Sequence, residues 1–341
     1  MAILGYIIRR IILAVAVLIA VTSLTFAFSH MVAMDPVAIM FGEVFQATPE
    51  QMAQMRHELG LDQSVVIQYL IYMRNLIQGN FGWSFHSSRP VILDLAQYFP
   101  ATLELTAFAL LLSVLVGVPL GVFSALKRGR WVDHLNRIFA LGGIAAPAFW
   151  TGLMLQIVFY SYLGILPIGG RAGESILLQH PLQVITGFYT LDSLLTGNWP
   201  VLSSSLVHLI LPGFVLAYRS MALIMRVTRS SMLEVINSDF VRTARAMGMA
   251  ERTVIMRYAL KNSLIPVVTV IGLNYGLLLQ GSWLVETVFN FPGIGLYGWK
   301  AISLANYPAI LAVATISSMT FVIINLVVDV IYTKIDPRIK Y

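Results

Sequence analysis

Six long apolar stretches constrain this chain more than any other feature of its sequence. They cover residues 11–30, 101–126, 137–163, 206–228, 263–288 and 307–331. A helix needs about 20 apolar residues to cross a bilayer, and open structures with unpaired backbone groups are excluded from hydrocarbon. The first stretch could be a signal peptide, because Ala27-Phe28-Ser29 resembles a cleavage site, but its length favours a retained span. We therefore predict an all-α, polytopic membrane protein with about six transmembrane helices.

Charged residues are scarce, which argues against an ordinary soluble domain. Hydrophobic residues make up 58% of the 341 positions and charged residues 11%, against about 25% charged residues in a typical soluble protein. So few charges cannot cover a globular surface, and most of the apolar surface is expected to face lipid. The chain has no cysteine, which excludes a disulfide framework and thiolate metal ligands. No metal site is predicted.

The lysines and arginines are distributed unevenly among the loops, and their distribution predicts the orientation of the chain. If the N-terminus is cytoplasmic, sixteen lie inside, five lie outside and Arg219 lies within a span. The inner set is Arg9, Arg10, Lys127, Arg128, Arg130, Arg137, Arg226, Arg229, Arg242, Arg245, Arg252, Arg257, Lys261, Lys334, Arg338 and Lys340. The outer set is Arg56, Arg74, Arg89, Arg171 and Lys300. Cytoplasmic loops carry an excess of these residues, so both termini are predicted to be cytoplasmic. This bias explains the net charge of +6 without a nucleic-acid partner.

Two of the predicted external segments are unusually long, residues 31–100 and about 164–205. In the first, residues 48–51 form a capping box with proline at the first helical position, and Gly60 provides a stop. A second helix is predicted from Ser64 to Gly79. Its apolar face consists of Val65, Val66, Tyr69, Tyr72, Met73 and Leu76. This segment could be a helical cap on the membrane surface or a docking surface for an external delivery protein, and the two roles are compatible.

The predicted cytoplasmic loop, residues 229–262, contains a short amphipathic helix. Asn237 or Ser238 can cap its start, and Gly248 can end it in a left-handed conformation. Its apolar stripe is Phe240, Val241 and Ala244, with Arg242 and Arg245 beside it. A helix of about ten residues is about 15 Å long, which suits a groove on a partner subunit. A solvated connector with a membrane-facing stripe is the alternative.

Polar residues within the spans are the candidates for a transport path. Arg219, near the middle of the fourth span, could attract a carboxylate of the substrate, or it could lock the packing through a salt bridge or backbone contact. In the fifth span the candidates are Asn274, Tyr275 and Gln280. These three could line the path or form interhelical hydrogen bonds. The Gly-x-x-x-Gly pairs in residues 117–121 and 272–276 predict close helix packing.

The sequence contains no catalytic motif that we can assign. It has no Gly-x-x-x-x-Gly-Lys loop, so the chain is not expected to bind ATP or another cofactor itself. His57-Glu58 lacks the second histidine of a zinc protease, and no Gly-x-Ser-x-Gly elbow occurs. An ion-coupled secondary transporter is the rival from another class, but such proteins place acids deep within spans. Here Glu104, Glu286 and Asp329 lie near span ends.

Several motifs resemble one branch of a known family. Residues 242–248 read Arg-Thr-Ala-Arg-Ala-Met-Gly and are followed by Leu-Ile-Pro at residues 264–266. The stretch resembles the dipeptide, oligopeptide and nickel branch of type I ABC importer permeases, with Met247 replacing the usual lysine. Further matches are Phe26, His30, Met31, Asp35, Pro36 and Val37, residues 59–62, 79–82, 101–105, 286–289 and 292–295, and the tail Asp329 with residues 336–338. Met34 replaces the usual glycine. In this order the motifs are similar to the dipeptide permease B-subunit type.

The resemblance implies a fold and a set of partners. It implies a MetI-like permease core in residues 101–335 with the coupling loop 229–262, preceded by an extra N-terminal span and a periplasmic helical segment in residues 1–100. The implied partners are a paralogous second permease, two ATP-binding cassette ATPases and a periplasmic substrate-binding protein, in the bacterial inner membrane. The residues implied to contact the ATPase are Asp239, Phe240, Val241, Arg242, Thr243, Ala244, Arg245 and Gly248. The wider family has Glu-Ala-Ala where this chain has residues 242–244, so that glutamate has no counterpart here.

The implied activity is non-catalytic import of peptides, driven by ATP hydrolysis on the partner subunits. Similar permeases also handle nickel chelates, glutathione-like peptides, and opine or sugar conjugates. Selectivity in this family resides mainly in the external binding protein. The sequence of the permease therefore leaves the substrate open among these classes.

Overall fold

The computed structural model describes residues 2–31, 48–58 and 60–335. Predicted motif residues outside this part of the chain are Met34, Asp35, Pro36, Val37, Leu59 and residues 336–338. The described chain is mostly helical, with one short pair of strands, β1 (Trp83–Ser84) and β2 (Arg89–Pro90). Its contacts divide it into two compact units. The first comprises residues 1–99 and 293–322, and the second comprises residues 100–292 and 323–340.

The helices follow the order expected for a polytopic membrane protein. They are α1 (Ala2–Met31), α2 (Pro49–Glu58), α3 (Val65–Ile77), α4 (Val91–Leu126), α5 (Trp131–Ala145), α6 (Ala148–Leu155), α7 (Glu174–Gln179), α8 (Tyr189–Leu195), α9 (Trp199–Ile236), α10 (Asp239–Ala246), α11 (Glu251–Thr253), α12 (Lys261–Val288), α13 (Ile294–Ser303) and α14 (Tyr307–Ile335). Two π-helices continue this order, Gln156–Tyr162 after α6 and Val254–Leu260 after α11.

Within the described residues, five helical segments are long and apolar enough to cross a membrane. They are Ile8–Phe28, Val91–Leu126, Trp199–Ile236, Glu251–Val288 and Tyr307–Val328. The predicted all-α class and five of the six predicted spans are confirmed. The helices that contain the second and fourth predicted spans begin at Val91 and Trp199, earlier than the apolar runs suggested.

The third predicted span, residues 137–163, is broken rather than continuous. Trp131–Ala145 and Ala148–Tyr162 meet at an angle of 111°. Pro147 lies at the break and lacks the N–H that a continuous helix would need, and a proline also disfavours helical backbone at the preceding residue. Accordingly, Ala146 is extended, with φ −78° and ψ 128°. If the bent pair counts as one span, the described chain has six candidate spans, which agrees with the prediction of about six. The break itself was not predicted, although Pro147 in the sequence contained its reason.

In the first unit, the two helices predicted before the second span are confirmed. The hydroxyl of Thr48 accepts the backbone N–H of Gln51 at 3.3 Å, and the Gln51 side chain accepts the N–H of Thr48 at 2.9 Å, which is the predicted capping box. Helix α3 packs on α1 through Tyr69, whose hydroxyl lies 2.7 Å from that of Ser23. The predicted apolar face is divided, because Val65 and Val66 are exposed.

In the second unit, α4 and α9 approach so closely that only glycine fits at their contact. A Cβ atom on Gly121 would lie 2.6 Å from the Thr228 side chain and 2.7 Å from the Met225 carbonyl oxygen. One on Gly117 would lie 2.9 Å from the Met221 carbonyl oxygen. The predicted role of this Gly-x-x-x-Gly pair in close packing is confirmed. Small residues let helix backbones approach in membranes, and here they bring two spans together.

A matched pair of glycine substitutions tests this packing. Relative to Gly281→Ala, Gly121→Ala should lower the free energy of unfolding by about 1–3 kcal/mol, the usual cost of overpacking a well-packed core. Gly281→Ala is the control, because its Cβ would lie 3.5 Å from Leu216, an ordinary contact. Both variants gain the same helix propensity of about 1 kcal/mol, so the difference isolates the clash. The thermal midpoints of the two purified variants in detergent measure this difference in stability. Equal midpoints would contradict the packing argument.

Candidate functional site

The predicted amphipathic helix of the loop is α10, eight residues long. It starts after Ser238, whose hydroxyl donates to the Val235 carbonyl oxygen at 2.6 Å, and the side chain of Ser238 makes no capping bond to α10. At its end the N–H of Gly248 donates to the carbonyl oxygen of Arg245 at 2.9 Å. The N–H of Met249 donates to the carbonyl oxygen of Ala244 at 3.3 Å. These two bonds form a Schellman motif. Gly248 has a φ of +76°, so the predicted left-handed stop is confirmed.

One face of α10 is fixed to the rest of the loop. Val241 and Ala244 are fully buried and pack with Val254. The guanidinium of Arg245 makes two hydrogen bonds to the carboxylate of Glu251, at 3.1 and 2.7 Å. The buried residues and this bidentate pair together fix the helix on the segment that leads into α12.

The other face of α10 is exposed and partly apolar. Phe240 is 45% exposed and Met247 is 68% exposed. Met247 directly follows the last residue of α10, and residues seven apart lie on the same side of a helix, so these two exposed apolar side chains lie on one side. Asp239, Arg242 and Thr243 are also exposed, with Asp239 and Arg242 paired at 3.4 Å. We call Phe240, Arg242, Thr243 and Met247 the outer face of α10.

The structure therefore separates the residues that the sequence grouped into a single stripe. Val241 and Ala244 face inward, whereas Phe240 faces outward. Met247 was not among the predicted contact residues, although the seven-residue spacing from Phe240 could have revealed it. Within the predicted loop, residues 229–262, α9 continues to Ile236 and a π-helix occupies Val254–Leu260, so most of this segment is helical.

The four candidates for the transport path have different surroundings. Arg219 on α9 is exposed, and within the described residues it has no hydrogen bond or ion pair. Gln280 on α12 is exposed as well. Asn274 is buried and donates to the Val270 carbonyl oxygen of its own helix at 2.9 Å, and Tyr275 packs against the main core of the second unit. Among the described contacts, no hydrogen bond or ion pair joins Arg219 to the other three.

A buried ion pair in the second unit had no recognisable signal in the sequence. Arg171, for which the sequence predicts only an external loop charge, pairs with Glu104 on α4, and both side chains are almost fully buried. Glu104 also accepts the N–H and hydroxyl of Thr190, at 2.7 and 2.6 Å. The Arg171 guanidinium lies 3.8 Å from the centre of the Tyr189 ring, close enough for a cation–π interaction. The pair fixes the loop around α8 to α4.

A second buried acid organises the same loop from within. Asp192 accepts the backbone N–H groups of Ile185, Thr186 and Gly187 at 2.8–3.1 Å, and the Thr186 hydroxyl at 2.7 Å. Burial raises the pKa of Asp192, but these hydrogen bonds outweigh burial and lower the pKa below its usual value. The carboxylate therefore stays charged, and the loop is held in one conformation by its own backbone.

Comparison with known proteins agrees with this architecture. Residues 117–341 match the family described as the inner membrane component of binding-protein-dependent transport systems. Residues 3–106 match the N-terminal component of the same kind of protein. Together the two matches include α10, the loop around α8 and the spans.

Relatives match over nearly their whole length, among them these three. A probable D,D-dipeptide transport system permease protein, DdpB of Escherichia coli, is 44% identical over 95% of this chain and 94% of its own. The dipeptide transport system permease protein DppB of Alkalihalophilus pseudofirmus is 42% identical over 99% of this chain and 100% of its own. The glutathione transport system permease protein GsiC of Salmonella paratyphi A is 36% identical over 99% of both chains.

One solved structure supports the fold. It is an inward-facing MetNI methionine ABC transporter, with a TM-score of 0.52 over 72% of this chain and 97% of the other. At 16% identity this likeness concerns the fold alone, and it agrees with the predicted MetI-like permease core. With the family matches and the full-length relatives, it leads to one conclusion: the chain belongs to the family of inner membrane components of binding-protein-dependent transport systems.

Proposed function

We propose that this permease forms the translocation path of an ATP-driven importer for peptides and has no catalytic activity of its own. ATP would be bound and hydrolysed by separate subunits on the cytoplasmic side. Residues 101–335 would form the transporter domain, and residues 1–100 would add a span and an external helical segment. The single observation that carries this proposal is the division of α10 into a fixed face and an exposed face.

The two faces of α10 suit the transmission of a force. Val241 and Ala244 are buried within the loop, so a push on the helix moves the segment that leads into α12. Phe240 and Met247 are exposed and apolar, which is the pattern of an anchor for a groove on a partner. Closure of two ATPases on bound ATP would then move two such helices together and switch the path between its inward-facing and outward-facing states.

The proposed assembly has five chains around one membrane path. A second permease would complete the path, two ATPases would dock on the cytoplasmic side, and an external binding protein would deliver the substrate. The family description supports dependence on a binding protein. The asymmetric distribution of lysine and arginine supports cytoplasmic termini in a bacterial inner membrane.

Peptides are the substrate class that the relatives favour. Two of the three relatives described above are named for dipeptides and one for glutathione, which is itself a peptide. All of these substrates carry a carboxylate. Arg219, exposed on a span and without a polar partner in the described chain, is the residue that we propose to attract it.

The absence of cysteine makes the orientation directly testable. Arg242→Cys should react with a membrane-impermeant thiol reagent only after cells are permeabilised, because α10 is proposed to be cytoplasmic. Leu178→Cys on α7, at a position 82% exposed, should react in intact cells. Labelling of residue 242 from outside would exclude contact between α10 and a cytoplasmic ATPase.

A substitution on the outer face of α10 tests coupling. Phe240→Asp should reduce uptake by at least about tenfold, because loss of a central anchor of an interface costs about 2 kcal/mol or more, and a tenfold effect corresponds to about 1.4 kcal/mol. Phe240→Leu, which keeps an apolar contact, is the matched control and should retain most of the uptake. Co-purification of the ATPase with each variant, together with the amount inserted in the membrane, separates lost docking from misfolding. Full uptake by Phe240→Asp would refute the role of α10.

The proposed role of Arg219 in substrate binding is tested with one variant that removes its charge and one that keeps it. Arg219→Gln should raise the peptide concentration needed for half-maximal uptake by about tenfold, the effect of losing about 1.4 kcal/mol of charge-assisted binding. Arg219→Lys should lie between this variant and the wild type. Co-purification of the ATPase shows whether assembly is preserved. Unchanged uptake by a correctly assembled Arg219→Gln complex would show that Arg219 does not attract the substrate.

A further inference from the structure

The first unit contains a small polar pocket apart from α10 and from the path candidates. Its volume is about 170 Å³. It is formed by the turn between β1 and β2, the start of α4, the α13 helix and the residues that follow α13. Its lining includes His86, Arg89, Asp94, Tyr297, Lys300 and Asn306. All of them belong to the same compact unit.

The negative charge in this pocket is already neutralised. Asp94 is 1% exposed and forms an ion pair with Arg89. Its carboxylate also accepts the hydroxyl of Ser87 at 2.6 Å and that of Tyr297 at 2.9 Å. Because its carboxylate is already paired and hydrogen-bonded, Asp94 has a structural role in the pocket and is not expected to bind a cation.

One lysine in the pocket lining carries a positive charge that no acid in the described chain neutralises. Lys300 on α13 is exposed, and within the described residues its ammonium group has no acidic partner and no hydrogen bond. His86 is exposed beside it in the lining and can donate a hydrogen bond from its ring in either protonation state. The pocket therefore offers a cation and a donor to an anionic group from outside.

Two residues next to the pocket have strained backbone conformations, and the surrounding contacts hold them in place. Ser88 has a φ of 50° and Ala305 a φ of 48°, in the left-handed region that residues other than glycine rarely adopt. Ser88 belongs to the β1–β2 turn, and Ala305 precedes the lining residue Asn306. The buried Asn306 amide donates to the Ser84 hydroxyl at 2.9 Å and accepts the Phe85 N–H at 3.4 Å, so it ties the two strained segments together. Such strain, when it is held in place, is concentrated at binding sites.

The size of the pocket limits what can enter. A cavity of about 150 Å³ holds one benzene molecule, so about 170 Å³ admits one acidic side chain and excludes a whole peptide. We propose that this pocket is a receptor for a single carboxylate, presented by an acidic side chain of the external binding protein. Lys300 pairs with the incoming carboxylate and His86 donates to it. The identity of the partner rests on the proposed function, which places α13 and the β1–β2 turn on the external side.

The first arm of the test measures carboxylate binding to the purified chain in detergent. Sodium acetate, compared with sodium chloride at equal ionic strength, should raise the thermal midpoint saturably in the wild type. Lys300→Gln should weaken the apparent affinity for acetate by at least about tenfold, whereas Lys300→Arg should largely preserve it. Lys127→Gln, which removes an exposed lysine outside the pocket, is the charge-matched control. Equal acetate effects in wild type and Lys300→Gln would overturn the proposal.

The second arm identifies the source of the carboxylate. In proteoliposomes containing the complete transporter, Lys300→Gln should raise the binding-protein concentration for half-maximal uptake by about tenfold and leave the maximal rate unchanged. An unchanged half-maximal concentration, with acetate binding lost, would overturn the assignment to the binding protein in favour of a free carboxylate. If wild-type uptake did not depend on a binding protein, the proposed function would fail, and the acetate measurements would still decide the nature of the pocket.

Discussion

The rest of this structure depends on one constraint, the cost of an unpaired backbone group in hydrocarbon. It makes every apolar stretch helical, and it governs the single place where a predicted span breaks. Hydrogen bonds are kept directly before and after the break at Pro147. The N–H of Ala146 still donates to Gly142 at 2.9 Å, and the Thr151 hydroxyl donates to the Pro147 carbonyl oxygen at 3.1 Å. The bend of 111° is thus accommodated without leaving these polar groups unpaired.

The second unit is stiffened by ion pairs in which the carboxylate is almost fully buried. Arg171 pairs with Glu104, and Arg229 on α9 makes two hydrogen bonds to Asp133 on α5, at 2.7 and 2.9 Å. Breaking a buried pair by removing one partner costs several kcal/mol, roughly 3–5. Such pairs therefore make rigid-body movement of the bundle more favourable than local deformation. This property is what the proposed mechanism requires, because a displacement of α10 must reach the path without being absorbed on the way.

Two surfaces of this chain are proposed to bind partners, and they differ in polarity. The outer face of α10 is apolar at Phe240 and Met247, so contact there would gain from burial of apolar area. The proposed receptor pocket is polar and carries the free charge of Lys300, so contact there would depend on charge and weaken with salt. Under the proposed function, this difference would suit a lasting contact with the ATPases and a reversible contact with the binding protein.

The sequence alone determined the features that depend on local pattern: the spans, the capping box at residues 48–51, the left-handed Gly248 and the close approach at Gly117 and Gly121. Each depends on residue spacing or on the backbone of one residue. Only the tertiary structure decided which residues meet. Arg171 and Glu104 are 67 residues apart, Val241 and Phe240 differ in burial although both are apolar, and the pocket combines residues near 90 and 300. Periodicity indicates that a face is apolar or polar, but the partner that covers it is chosen by packing between distant segments.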